Sequence, residues 1–237
     1  GIEGKRIAVV DQSFAPRSDR LWCFWGDETA PFRALAVKTW PRATVRFDDM
    51  EIDEALKDQS YACIRSEDFQ AAVLERLKSA PEVTLIEADI QGIDEDSEGP
   101  YLQTSAGELR ATWVAQSVRH SRADAESKLL YPVRQHFGGL EIETEREVFD
   151  TERFTMMDFR VPQRDGVAFV YVLPFAPNKA LVEHTMFSSH ELSHDAHFEA
   201  AEAYIAERLG CAFKVTRREA SSLPMDDRYP AQRSSPH

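Results

Sequence analysis

The sequence predicts an α/β protein of α+β character, built as an alternating strand-and-helix part followed by a part dominated by antiparallel sheet. Three observations predict it. The run K-R-I-A-V-V-D (5–11) is apolar and ends in an acid, which suits a buried parallel strand. Residues 66–79 carry a helical stripe of Phe69, Ala72, Val73 and Leu77 between two strand signals. From 131 to 187 the pattern is strand after strand, and one helix follows.

The elements follow in order. Residues 42–48 alternate, with Val45 and Phe47 on one face of a half-exposed strand. Ser66 is placed to cap the helix, Glu67 and Asp68 favour its positive end, and Pro81 stops it. V-T-L-I-E-A (83–88) reads as a strand. Residues 90–110 hold short strands separated by Ser97, Gly99 and Pro100, hence an antiparallel ribbon, and 111–116 reads as one more strand. The second part contributes strands within 131–145, 154–161, 167–175 and 180–187, the last two joined by a hairpin turn at Pro177-Asn178-Lys179. A helix starting at Ser188 is ended by Gly210, and the tail 231–237 reads as disordered. The two parts are expected to divide as 1–128 and 129–237.

Composition narrows the function. The chain has 237 residues and a net charge of −13, which opposes a phosphate-tracking nucleic-acid binder. It leaves room for a small apolar patch facing a membrane. Three scattered cysteines, Cys23, Cys63 and Cys211, make no disulfide framework and predict a reducing compartment.

The stretch S-S-H-E-L-S-H-D-A-H (188–197) contains H-E-x-x-H, so His190 and His194 could share a helix face for zinc. Ser188 followed by Glu191 also forms a capping box, which explains the Glu as a helix-start device. The apolar stripe begins later, at Phe198, and no third ligand stands at a recognisable offset, Glu219 being an unsupported choice. The expectation is a solvated helix start and no metal site. Read on its own residues, Glu183 is an outward carboxylate on a sheet edge. Asp158 and Arg160, two apart on a strand and so on one face, read as a local ion pair or a link to a neighbouring strand.

Four segments carry a resemblance. D-R-L-W-C-F-W (19–25), Q-H-F-G-G-L-E-I-E-T (135–144), M-M-D-F-R-V-P-Q (156–163) and F-V-Y-V-L-P-F-A-P-N-K-A-L-V-E-H-T-M-F-S (169–188) resemble the bacterial lycopene beta-cyclase family. The likeness runs from about residue 5 to 225. It implies an FAD-binding, Rossmann-like domain of the flavin hydroxylase type, here incomplete, with an antiparallel-sheet substrate domain. It implies redox-neutral closure of the ends of a linear carotenoid such as lycopene into beta-ionone rings. Reduced FAD is the implied cofactor, with NAD(P)H as reductant. The implied place is cytoplasmic, peripheral on the inner membrane.

Residue by residue, the resemblance makes Glu183 the essential acid and Asp158 and Arg160 the companions in the Met-Asp-Phe-Arg motif. Asp11 matches the acid that takes the ribose hydroxyls, Arg20 lies in the motif near the flavin, and Arg65 matches a position facing FAD. The chemistry needs a carboxylic acid that stays protonated at neutral pH, which an apolar surround provides. Phe159, Phe169, Tyr171 and Phe175 are candidates to line the path of an apolar substrate.

The sequence departs from the family at both ends. No G-x-G-x-x-G precedes Lys5, no Gly-Asp motif follows Met225, and Ser221 stands where the family has Gly. These departures predict the interior of a cyclase that by itself neither holds FAD tightly nor turns over. Two other readings stay open: an FAD-dependent reductase or hydroxylase of another isoprenoid, and a non-catalytic fragment that binds an isoprenoid or a membrane.

Overall fold

A computed structural model describes residues 4–117 and 131–225. The expected division at 128/129 and the tail 231–237 lie outside the described residues. The chain runs through β1 (Ile7–Asp11), β2 (Leu21–Gly26), β3 (Lys38–Trp40), β4 (Arg42–Arg46), β5 (Glu51–Ala55) and β6 (Ser60–Arg65) into α1 (Ser66–Lys78). Next come β7 (Val83–Glu87), β8 (Ile90–Asp96), β9 (Gly99–Thr104) and β10 (Gly107–Arg110). They are followed by β11 (Arg134–Thr144), β12 (Arg153–Asp158), β13 (Val167–Ala176), β14 (Lys179–Ser188), α2 (His194–Arg208) and β15 (Phe213–Pro224). The chain forms two compact units, Gly1–Leu21 with Ile64–Ser121, and Trp22–Cys63 with Arg122–His237.

In the first unit β1 and β7 pair in parallel, from Ile7 opposite Val83 to Asp11 opposite Glu87. Helix α1 packs against β7, and β8, β9 and β10 form the antiparallel ribbon. Residues 111–117 form no strand, contrary to the sequence expectation. Ser66 does not cap α1 either. Arg65 is the N-cap, and Ser66 is the fully buried first helical residue. Its hydroxyl donates to the Arg17 carbonyl at 2.6 Å and accepts the amides of Asp19 and Arg20 at 3.3 and 3.2 Å. Those longer-range bonds take the oxygen that a cap would use.

The second unit centres on a seven-stranded sheet in the order β15-β11-β14-β13-β12-β4-β5. Its neighbours are antiparallel except for β12 and β4. The hairpin expected at Pro177-Asn178-Lys179 joins β13 to β14. Because side chains alternate along a strand, one face of the sheet collects Leu140, Ile142, Val170, Val172, Ala180 and Val182. Helix α2 covers that face with Ala201, Tyr204 and Ile205, all buried. Burial of side chains this size stabilises by roughly 1.5–3 kcal/mol for each large aliphatic residue. Gly138 lets the helix approach, since a Cβ there would lie 2.6 Å from the Cβ of His197.

Helix α2 begins at His194, capped by Ser193, whose side chain accepts the Ala196 amide at 3.2 Å. This corrects the expected start at Ser188. Ser188 ends β14 instead, and Glu191 pairs with Arg134 rather than closing a capping box. His190 lies outside the helix, so it shares no helical face with His194.

The buried histidine of this stretch is His197. It joins His184 and His136 in a chain in which every polar atom has one direction. His184 Nδ1 faces His197 Nδ1 at 2.8 Å, His197 Nε2 faces His136 Nδ1 at 2.8 Å, and His136 Nε2 faces Ser188 Oγ at 2.9 Å. Ser188 Oγ donates to the His190 carbonyl at 2.5 Å. Three neutral imidazoles satisfy this order, each donating once along the chain. A further proton on His197 Nδ1 or His136 Nδ1 would set two donors against each other. Burial, and secondly the neighbouring imidazoles, push both His184 and His197 down to about 4.

Candidate functional site

Opposite the helix-covered face lies a row of four residues on four adjacent strands. Tyr171 on β13 is opposite Glu183 on β14, Glu183 is opposite Gly139 on β11, and Gly139 is opposite Glu219 on β15. Glu183 alternates with the core residues Val182 and His184, so it points away from α2. It sits on an interior strand of the sheet, not on an edge as its residues alone suggest.

The surroundings of Glu183 decide its charge. Thr185 Oγ1 donates to Glu183 Oε1 at 3.2 Å, and Glu219 flanks Gly139 from the other side. Burial, and after it the charge of Glu219, raise Glu183 to about 8, against a weaker lowering by Thr185. At pH 7 a group with that value is roughly nine-tenths protonated, whereas an ordinary glutamic acid is almost wholly ionised. Tyr171 is raised to about 12 by burial and then by the Glu183 charge. Cys23 is raised well above its ordinary value by its hydrogen bond with Cys63 and by burial.

Aromatic rings flank this row. Phe169 lies edge-on to Tyr171 at 5.1 Å and to Phe159 at 5.6 Å. Tyr61 stacks on Phe154 at 4.5 Å, and Trp25 lies 4.7 Å from Tyr61. The indole Nε1 of Trp40 donates to the Pro174 carbonyl at 2.9 Å, which ties β3 to β13. Such π faces stabilise a nearby cation where water is scarce.

Asp158 and Arg160 are joined to each other and not to Glu183. Arg160 Nη2 donates to Asp158 Oδ2 at 2.7 Å and Nε to Oδ1 at 2.8 Å, the ion pair that their spacing suggests. Tyr204 on α2 donates to Asp158 Oδ2 at 2.7 Å, which sets this carboxylate on the helix side of the sheet. Burial works against the charge of fully buried Asp158, yet Arg160 and Tyr204 hold it below the usual carboxylate range.

The three cofactor candidates lie in the first unit or at its start. Asp11 ends β1, exposed, at the carboxyl end of the parallel pair, where open α/β sheets place their ligands. Its Oδ1 accepts the Ser13 amide at 3.3 Å. Arg20 is exposed and lies 3.5 Å from Asp19. Arg65 is half-buried at the head of α1. Asp11 therefore fits the ribose end of a dinucleotide. Among the described residues, no glycine-rich turn leads into a helix to cradle a pyrophosphate.

Sequence reasoning missed Glu219, which it weighed solely as a third metal ligand, and it missed the strand that carries it. The alternation V-T-R-R-E-A-S-S-L in 215–223 was a weak sign of β15. The glycine pair inside Q-H-F-G-G-L was a better one, since glycine within a strand marks close approach.

Comparison with known proteins bears on the fold and the family. The chain is 28% identical over 226 residues to the lycopene beta-cyclase of Paracoccus sp. (strain N81106 / MBIC 01143), covering 93% of this chain and 54% of that protein. It thus spans about half the length of that relative. Its fold is similar to halogenase PltM, with a TM-score of 0.61 at 12% identity over 94% of this chain and 56% of the other. It is similar also to a geranylgeranyl bacteriochlorophyll reductase-like protein from Thermoplasma acidophilum, with a TM-score of 0.57 at 8% identity, covering 92% and 60%. A flavoprotein/dehydrogenase from Cytophaga hutchinsonii gives 0.57 at 12% identity, covering 93% and 60%. These likenesses bear out a sheet-dominated α/β fold of the flavin hydroxylase type. The model of the lycopene cyclase protein family matches residues 3–236, and the chain belongs to that family.

Proposed function

We propose that this chain carries the acid-catalytic part of a carotenoid cyclase, in which Glu183 protonates the end of a linear carotenoid such as lycopene. The observation that carries the reading is a glutamic acid on an interior strand, opposite Tyr171 with Phe169 edge-on to that ring, in surroundings that favour its uncharged form. Glu183 gives its proton to the terminal C=C of the polyene. The cation that forms is attacked by a neighbouring double bond, closing a carbon–carbon bond. The ring cation then loses a proton to the Glu183 carboxylate, so acid and substrate valence are both restored and no net electrons move. Tyr171, Phe169 and Phe159 offer π faces to the cation.

Asp158 and Arg160 take a structural part in this reading, holding the end of β12 to Tyr204 on α2. Asp11 would hold the ribose of FAD, with Arg20 and Arg65 as further cofactor contacts. Reduced flavin, when bound, supplies an electron-rich partner for cationic chemistry, and NAD(P)H is the proposed reductant. A membrane surface is the proposed source of so apolar a substrate. Among the described residues no helix is long and apolar enough to cross a membrane. Four large apolar residues within 22–37, Trp22, Trp25, Phe32 and Val37, are exposed at 36%, 47%, 45% and 43%.

The test is lycopene turnover under reducing conditions with added FAD. In the FAD-loaded protein that forms a ringed product, Glu183→Gln, equally folded, forms none. Turnover retained in Glu183→Gln would remove Glu183 from this role.

A further inference from the structure

We infer that Glu219 is a positioning residue for Glu183: the two carboxyls share one proton across the open side of Gly139, and Arg217 decides which of them carries it. This rests on the reading of Glu183 as the acid and adds its partner. Strand register sets Glu183 and Glu219 opposite Gly139 from its two sides. A side chain at 139 would close the gap, since a Cβ there lies 3.2 Å from Glu183 Oε2 and 2.9 Å from Leu181 Cδ1. With a hydrogen in its place, the two carboxyls flank an open gap and the charge of Glu219 acts on Glu183. Two neighbouring carboxyls, Glu219 buried and Glu183 half-buried, resist ionising together, so the pair holds one proton.

The nearby cation places that proton. Arg217 Nη2 donates to Glu219 Oε2 at 2.5 Å, and Arg217 Nε donates to Glu141 Oε2 at 3.2 Å. Glu219 therefore keeps the negative charge. Glu183 meets Thr185 and Glu219, neither of them a cation, and takes the proton. Tyr171 on β13 and Cys23 on β2 also act on Glu183, and both are neutral at pH 7 because both are raised. After Glu183 has given its proton to the polyene, the two carboxylates repel each other. That repulsion favours return of a proton from the ring carbon to Glu183, which closes the cycle with no other base.

The experiment is a pH titration of the full chain labelled with carbon-13 at glutamate carboxyls, read by NMR, for the unmodified protein, Glu183→Gln and Glu219→Gln. In Glu219→Gln the Glu183 midpoint falls by about one pH unit or more, because the neighbouring charge is gone. An unmoved midpoint overturns the inference. Should Glu219→Gln fail to fold, the unmodified chain decides the question. There Glu183 titrates well above an ordinary glutamic acid while Glu219 stays ionised through that transition, and a Glu183 midpoint at the ordinary value, or Glu219 taking up the proton in its place, overturns the inference. The two readings fail separately. Lycopene turnover in Glu183→Gln removes the acid and leaves the shared proton standing, while an unmoved midpoint removes the pair and leaves the acid.

Discussion

Glu183 and Glu219 stand on either side of Gly139, on strands β14 and β15, with β11 between them. The glycine makes room for both carboxyls, and its neighbour Gly138 makes room for α2 on the other face. One dipeptide thus sets the reach of the site and the seat of the helix.

Gly138→Ala should destabilise more than Gly139→Ala. The new Cβ meets a backbone-anchored Cβ of His197 at 2.6 Å in the first case. In the second it meets side-chain ends at 2.9 and 3.2 Å, which can shift. Overpacking of this kind costs about 1–3 kcal/mol, and Gly138→Ala belongs at the upper end. Urea midpoints of the two variants check the order.

His197→Ala should cost about 2–4 kcal/mol, since it opens a cavity and leaves His136 and His184 each short of a partner. Equilibrium urea unfolding measures it. A loss near zero would mean that the histidine chain does not hold α2 to the sheet.

Stability should pass through a maximum near neutral pH. Glu183 has a native value raised from 4.5 to about 8, so the folded state binds more protons and stability falls as pH rises through that interval. His184 and His197 are lowered from 6.5 to about 4, so the folded state binds fewer protons and stability falls as pH drops through that interval. Below about 6.5 the two histidines outweigh the single acid, and above it the acid acts alone. Glu183→Gln should flatten the alkaline fall and steepen the acid limb, because the acid no longer opposes the two histidines below about 6.5. Urea midpoints at intervals from pH 5 to 9 read both limbs.

Asp158→Asn should destabilise by about 1–3 kcal/mol, because Arg160 loses its charged partner while remaining partly solvated. It should not move the titration of Glu183, which lies on the other face of the sheet. Thermal melting gives the first quantity and carboxyl NMR the second. A shift at Glu183 would show that the two faces are coupled.

Much of this was legible in the sequence because it is local. The run ending in Asp11, the stripe of α1 and the hairpin at Asn178 are each set by neighbours within a few residues. The alternation of L-V-E-H-T-M-F put Glu183 and His184 on opposite faces, yet it could not say which face met the core, since one is buried and the other half-buried. That took strand order: β14 lies inside the sheet, between β11 and β13. Ser66 and Ser188 were misread as helix caps because each hydroxyl answers to groups distant in sequence, Arg17 and His136. Glu219 was invisible for the same reason. Its meeting with Glu183 is fixed by pairing across β11 and by a glycine that leaves a gap, and neither has a local signature.

The central claim is that Glu183 is uncharged at neutral pH. Infrared difference spectroscopy at pH 7, unmodified chain minus Glu183→Gln, tests it most directly. The account predicts a carbonyl band of a protonated carboxylic acid, lost in the variant and fading as pH rises past about 8. A difference spectrum showing a carboxylate band at pH 7 and no acid carbonyl would contradict it.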